Sequence, residues 1–219
     1  MRIAGKFALG ALSLLFALSL AGCLSFFPKT PPAQLWRFTH VSVAPVPNAA
    51  EEGGVGVVLG DIGFPRQSEG HRILTVNGGQ AAYIAGSRWV ATASDQFRQA
   101  AYVAFERQGQ VGGGAARLLA EGEIAPARWR LQLDVRRFDV DLTGNPVIEV
   151  EVAASLSRIG GAPTTFAKRF AVRTPAGEDR VGAMVGAFDE AVTTVLSQIA
   201  AWTNAQLASS PPPASAAGG

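Results

Sequence analysis

The sequence predicts an α+β fold: a mostly antiparallel sheet in a single domain, with two main helices packed on one face. Three observations predict it. Apolar and polar residues alternate in successive runs between Trp129 and Val172, separated by turn residues. Two segments, Thr92–Arg107 and Glu178–Leu207, instead carry apolar residues three and four positions apart. The resulting order, β…β-α-β-β-β-β-α, puts helices on one side of one sheet.

The elements follow in chain order. Leu35–Val43 (LWRFTHVSV) has the composition of a first strand, and the apolar, β-branched Val55–Ile62 that of a buried second one. Ile73–Val76 and Ala81–Ala85 are short strands around the turn signal Asn77-Gly78. In the first helix Ala93, Phe97, Ala100, Ala101, Ala104 and Phe105 share a face, with Asp95, Arg98 and Glu106 away from it. Gly109–Gly114 ends that helix.

An antiparallel meander should follow. Arg117–Ile124 is a weaker strand. Trp129, Leu131, Leu133 and Val135 then alternate with Arg130, Gln132 and Asp134, but Phe138, Val140 and Leu142 fall at even positions. A one-residue slip turns side chains to the wrong face unless an extra residue is absorbed, so a β-bulge is expected at Arg136-Arg137. Gly144-Asn145-Pro146 makes a turn, Ile148 to Leu156 alternate again, Gly160-Gly161 turns, and Phe166, Phe170 and Val172 mark the last strand. In the final helix Val181, Val185, Phe188, Val192, Val195, Ile199 and Trp202 form a stripe suited to packing on a sheet. Glu178 and Asp179 stand where acids favour a helix N-terminus.

The chain has 219 residues, 48% hydrophobic and 16% charged, enough for a real core and against wholesale disorder. Its net charge of +2 comes from Arg2 and Lys6, the only charges before Cys23. Removing residues 1–22 takes away two of the 19 basic residues and leaves 17 against 17 acidic ones. A neutral mature chain has no charge excess to drive nucleic-acid binding. One cysteine and two histidines exclude a disulfide framework and argue against a Cys/His metal site.

The N-terminus is sharper. A short basic segment, Met1–Lys6, precedes the apolar run Phe7–Leu20, whose 14 residues suit a signal-peptide core and fall short of the roughly 20 that span a bilayer. The run ends in Leu20-Ala21-Gly22-Cys23, which resembles the bacterial lipobox, cut between Gly22 and Cys23 after the thiol is diacylated. The competing reading is a plain transmembrane anchor, since Phe7–Phe27 is nearly all apolar. Against it stand the cysteine at the end of the run and the prolines that follow at once. Two or three acyl chains hold a protein almost permanently, at about 0.8 kcal/mol per buried CH₂. Leu24 follows the cysteine. By the usual bacterial sorting rule, the absence of aspartate there favours the periplasmic face of the outer membrane over the inner one.

The expected organisation is therefore a lipoprotein signal peptide over 1–22, a lipidated tether over 23–33 with three prolines, one domain over 34–207, and a Pro/Ser/Ala/Gly-rich tail, expected to be disordered, over 208–219. No internal repeat is evident.

Catalytic signatures are lacking. His40 and His71 sit in no recognisable metal or triad pattern. Gly112-Gly113-Gly114 lacks the Lys-Ser/Thr of a phosphate loop and runs from helix into strand, the reverse of that motif. Asp139 and Asp141 share a strand face, where solvated charge is the simpler reading than a metal site. Glu149 and Glu151 suit cross-strand pairs with Arg130 and Arg136. Neither a cofactor nor a catalytic residue is assigned. Arg88-Trp89 admits two readings: an exposed recognition pair, or a structural tryptophan beneath the helix start. Arg88, Trp89 and Trp36 are kept as candidate partner contacts.

The lipobox, the aromatic first strand (Trp36, Phe38), the segment Tyr83-Ile84-Ala85-Gly86-Ser87-Arg88-Trp89 leading into a helix, and the long Ala/Val-rich final helix together resemble the ABC-type transport auxiliary lipoprotein family. The resemblance covers about residues 34–206. It departs in having Trp36 where members often have tyrosine, and in the glycine-rich stretch Gly53–Gly60. It implies a non-catalytic (PqiC-like) component of an MCE-domain system that moves lipids or other hydrophobic molecules between the two membranes. Its implied partners are a periplasmic MCE-domain protein and an ABC permease and ATPase. A homo-oligomeric ring is compatible with such a chain. The alternative is a generic envelope-assembly or secretin-associated lipoprotein. A lipid carrier in its own right and an envelope hydrolase rank behind it.

Overall fold

The computed structural model describes residues 32–39, 54–112, 116–119 and 127–210, and those from Ala33 onward form a single α+β unit. Its described strands are β1 (Gln34–Trp36), β2 (Val55–Leu59), β3 (Arg72–Asn77), β4 (Gln80–Trp89), β5 (Ala116–Leu119), β6 (Ala127–Asp141), β7 (Val147–Arg158) and β8 (Thr165–Pro175). Helix α1 (Ala93–Gly112) follows β4 and helix α2 (Val181–Ser209) follows β8.

The expectation of a mostly antiparallel sheet is corrected. The eight described strands form one mixed sheet, and four of its seven strand pairings are parallel: β1 with β4, β2 with β5, β2 with β6 and β3 with β6. Antiparallel pairing is confined to the β3–β4 hairpin and the β6–β7–β8 meander, where tight turns join neighbours in sequence. Parallel partners lie far apart in the chain, so no local pattern announces them. β5 accordingly does not open the meander; it sits beyond β2 at the far edge.

Strand β6 organises the sheet. One of its edges carries all of β7; the other carries β2 near Trp129–Leu131 and β3 near Val140–Asp141. Between these two partners the chain still tracks β6: Gly60 and Gly63 donate their N–H groups to Leu131 and Leu133 at 2.8 and 2.9 Å. The expected bulge is present. Val135 pairs with Val152 and Arg137 with Glu151, leaving Arg136 as the extra residue, so Leu133 and Val135 before it and Phe138 and Val140 after it are all buried.

Both helices reach the same face. Phe97 of α1 and Phe188 of α2 lie against Phe138 of β6, with ring centroids 6.4 and 4.8 Å apart. Trp89, Phe38 and Phe64 complete this aromatic centre in edge-on contacts. The stripe residues Val185, Phe188, Val192, Val195 and Ile199 are buried, whereas Val181 and Trp202 at the ends are half-buried.

Several boundaries move. β1 stops at Trp36, although Phe38 beyond it is still buried, and His40–Val43 lie outside the described residues. α1 runs past Gly109 to Gly112. Its start is a side-chain cap: the Asp95 N–H donates to the Thr92 hydroxyl, which donates to the Asp95 carboxylate. α2 begins at Val181 after Arg180, so Glu178 and Asp179 precede it, and Glu178 instead pairs with Arg180.

Candidate functional site

Gly22 and Cys23, the predicted cleavage and lipidation positions, lie outside the described residues, as do His40 and the tail from Pro211. The three aromatic and basic candidates, by contrast, come together. Parallel pairing of β1 with β4 sets Leu35 beside Arg88 and Trp36 beside Trp89. The Val90 N–H then donates to the Trp36 carbonyl at 2.8 Å.

Alternation along β4 separates the Arg88-Trp89 pair. Arg88 is exposed, while Trp89 is 1% exposed and packs on Phe38 and Phe188. Trp89 is thus a core residue and offers no contact surface, which corrects its candidacy and favours the structural reading. Trp36 is intermediate: its ring packs on the core, and its indole N–H is buried without a hydrogen-bond partner among the described residues.

Beside Trp36 lies a groove of about 270 Å³ between β1 and the first turns of α2, lined by Leu35, Trp36, Thr39, Gly182, Val185 and Asp189. Gly182 faces the indole ring: a Cβ there would stand 3.5 Å from it, in ordinary van der Waals contact. At its floor Asp189 is buried and accepts a hydrogen bond from the Thr39 hydroxyl. Leu35, 64% exposed, and the exposed Arg37 also line the groove, and Val90, 53% exposed, lies nearby just past β4. Arg72 of β3 stands opposite Arg88 and lies over the Tyr83 ring, 3.8 Å from its centroid.

The outer face of the meander holds a second polar cluster. Asp139 and Glu149 are each 6% exposed, so Asp139 is not the solvated charge expected of it. Arg137 bridges the two, 3.1 Å from Asp139, and Arg173 reaches Glu149 at 2.9 Å. Glu151 pairs with Arg169, and Arg136 with Asp134, so the expected partnership of Glu149 and Glu151 with Arg130 and Arg136 is replaced. The hydrogen bond to Asp139 raises the pKa of Arg137 above its ordinary value, aided by the charges of Asp139, Glu149 and Asp141 and opposed by burial. The Thr143 hydroxyl and N–H, both donating to Asp141, hold its carboxyl below the usual range. Every carboxylate of this cluster has a cation beside it, an arrangement that ties strands together. Among the described residues no group of three or more His, Cys, Asp and Glu side chains is arranged to hold a metal ion. His71 lies with Nδ1 3.2 Å from the Trp89 carbonyl.

Sequence reasoning missed Leu35, Val90, Arg72 and Gly182. The signal for Arg72 was its place in the hairpin, one residue before the strand that was recognised. Gly182 had none, because a single glycine in an apolar helix says nothing about what lies across from it.

The comparisons with known proteins agree with this architecture. A family model described as an ABC-type transport auxiliary lipoprotein component matches residues 39–200. No curated protein matches the sequence significantly. Among solved structures, a Xanthomonas campestris protein of the DUF330 family superposes with a TM-score of 0.65 at 25% identity, covering 81% of this chain and 99% of its own. The structure of an uncharacterized protein superposes at 0.61 with 13% identity, covering 79% and 99%, a likeness of fold alone.

Proposed function

This chain belongs to the ABC-type transport auxiliary lipoprotein family, and on that premise we propose that it is a non-catalytic, membrane-held component of an ABC/MCE-type system moving lipids or other hydrophobic molecules between the inner and outer membranes. Signal peptidase cuts between Gly22 and Cys23, and the acylated Cys23 fixes the chain on the periplasmic face of the outer membrane. An inner-membrane permease and ATPase supply the energy, and an MCE-domain protein supplies the conduit that this domain meets.

The observation that carries the reading is one of order along the chain. The lipobox Leu20-Ala21-Gly22-Cys23 stands sixteen residues upstream of a family match that begins at residue 39. Between Cys23 and the first strand lie about ten tether residues. In extended Pro-rich form, at about 3.1 Å per residue, they reach roughly 30 Å, so the domain works close to the bilayer.

The test is purification of the full-length protein from its own membranes at native abundance. The expected result is recovery in the outer-membrane fraction with MCE-domain and permease subunits. Recovery with a secretin or assembly complex instead would favour the generic envelope lipoprotein, and recovery in the inner-membrane fraction would overturn the localisation.

A further inference from the structure

The β1–β4 edge carries an arrangement that folding alone does not favour. Arg72 and Arg88 are direct cross-strand neighbours in an antiparallel pair, and like charges so placed repel. Arg37 is exposed one residue past β1. Among the described residues none of the three has a carboxylate within ion-pair distance, whereas Arg137, Arg169 and Arg173 of the same sheet all do. The segments that build this edge, 34–37, 70–74 and 86–92, contain those three arginines and no acidic residue; Glu69 stands just outside. Leu35 and Val90, the two most exposed large apolar side chains described, lie on the same edge.

We propose that the β1–β4 edge docks on an anionic lipid surface, with Arg37, Arg72 and Arg88 meeting headgroup phosphates and Leu35 and Val90 entering the acyl boundary. Charge complementarity and exposed aliphatic side chains together are what an interfacial contact requires. The position suits it, because β1 is where the domain begins after the tether. Docking there sets the orientation in which the domain presents its remaining surface to a conduit. The inference rests on the reading that Cys23 is lipidated, but not on the identity of the transport partners.

The experiment uses the full-length lipidated protein reconstituted into vesicles without partner subunits. Cys23 is the single cysteine and is blocked by lipid, so Val90→Cys provides one free thiol for a polarity-sensitive fluorophore. In phosphatidylethanolamine/phosphatidylglycerol vesicles the label at position 90 should shift to the blue and be quenched by headgroup-labelled lipid. In phosphatidylcholine vesicles both effects should weaken. A label introduced by Ile159→Cys, at a site 43% exposed in the turn after β7, should remain in water. Arg72→Gln with Arg88→Gln should weaken the docked-to-undocked equilibrium of the edge about fivefold per arginine, while Arg72→Lys with Arg88→Lys should preserve it. A label at position 90 that stays in water on anionic vesicles, or that shifts equally in the glutamine variant, overturns the proposal. So does a shift that appears only when partner subunits are added, which would make this edge a protein contact. Since the vesicles hold no transport machinery, failure here leaves the transport reading standing, and loss of that reading leaves this one standing.

Discussion

Trp89 and Arg88 are adjacent in sequence and opposite in environment. Trp89→Ala should cost about 3–5 kcal/mol in denaturant unfolding, as expected for a large aromatic removed from a packed core. Arg88→Ala should change stability by no more than about 0.5 kcal/mol. Equal effects would contradict the separation of the two side chains across β4. Arg137 offers a second test. Its removal leaves Asp139 and Glu149 buried with fewer cations, so Arg137→Ala should cost about 1–3 kcal/mol, an amount tempered by its own partial exposure. Asp141 gives a pH test. Its folded pKa is lowered by Thr143, so the stabilisation is present above the ordinary aspartate range and is lost as pH falls through the folded value. Thr143→Ala removes the hydroxyl but keeps the N–H, so it should raise the Asp141 titration, followed by carboxyl NMR, part of the way toward the ordinary range; an unchanged titration would show that the hydroxyl is not the cause.

The elements divide by how local their determinants are. The bulge at Arg136 was legible because β6 records its own change of phase, with Val135 and Phe138 both buried although three positions apart. Deleting Arg136 should remove the bulge and leave a regular strand, with Phe138 and Val140 still on the core face, so the variant should fold by circular dichroism; a deletion that unfolds the domain would contradict that reading. The Thr92 cap is equally local, and Thr92→Ala should cost about 1 kcal/mol. The parallel pairings were not legible. β2 joins β5 and β6 across long connections, and nothing in VGVVL names the strand that will lie beside it. The groove at Trp36 was invisible for the same reason, since it depends on the first turns of α2 lying beside β1, which is far away in the chain. Trp36 and Arg88 were visible as residue types, and their neighbours Leu35, Val90 and Arg72 only once the strands were paired.

At the scale of the whole molecule, the domain shows how a chain whose residues from 23 onward carry balanced charge can act through position. A mixed sheet and two helices make a solid core, with the aromatic centre shared by both helices and β6. Family membership supplies the auxiliary transport role, and the lipobox supplies the proposed attachment to a membrane. Every further proposal, from the partners to the lipid-facing edge, assumes that attachment. Intact-mass and N-terminal peptide analysis of the protein isolated from its native membranes tests it most directly. The account predicts a chain that starts at residue 23 and carries a diacylglyceryl group on the sulfur. A chain that keeps Met1–Gly22, or one with a free thiol at Cys23, would contradict it.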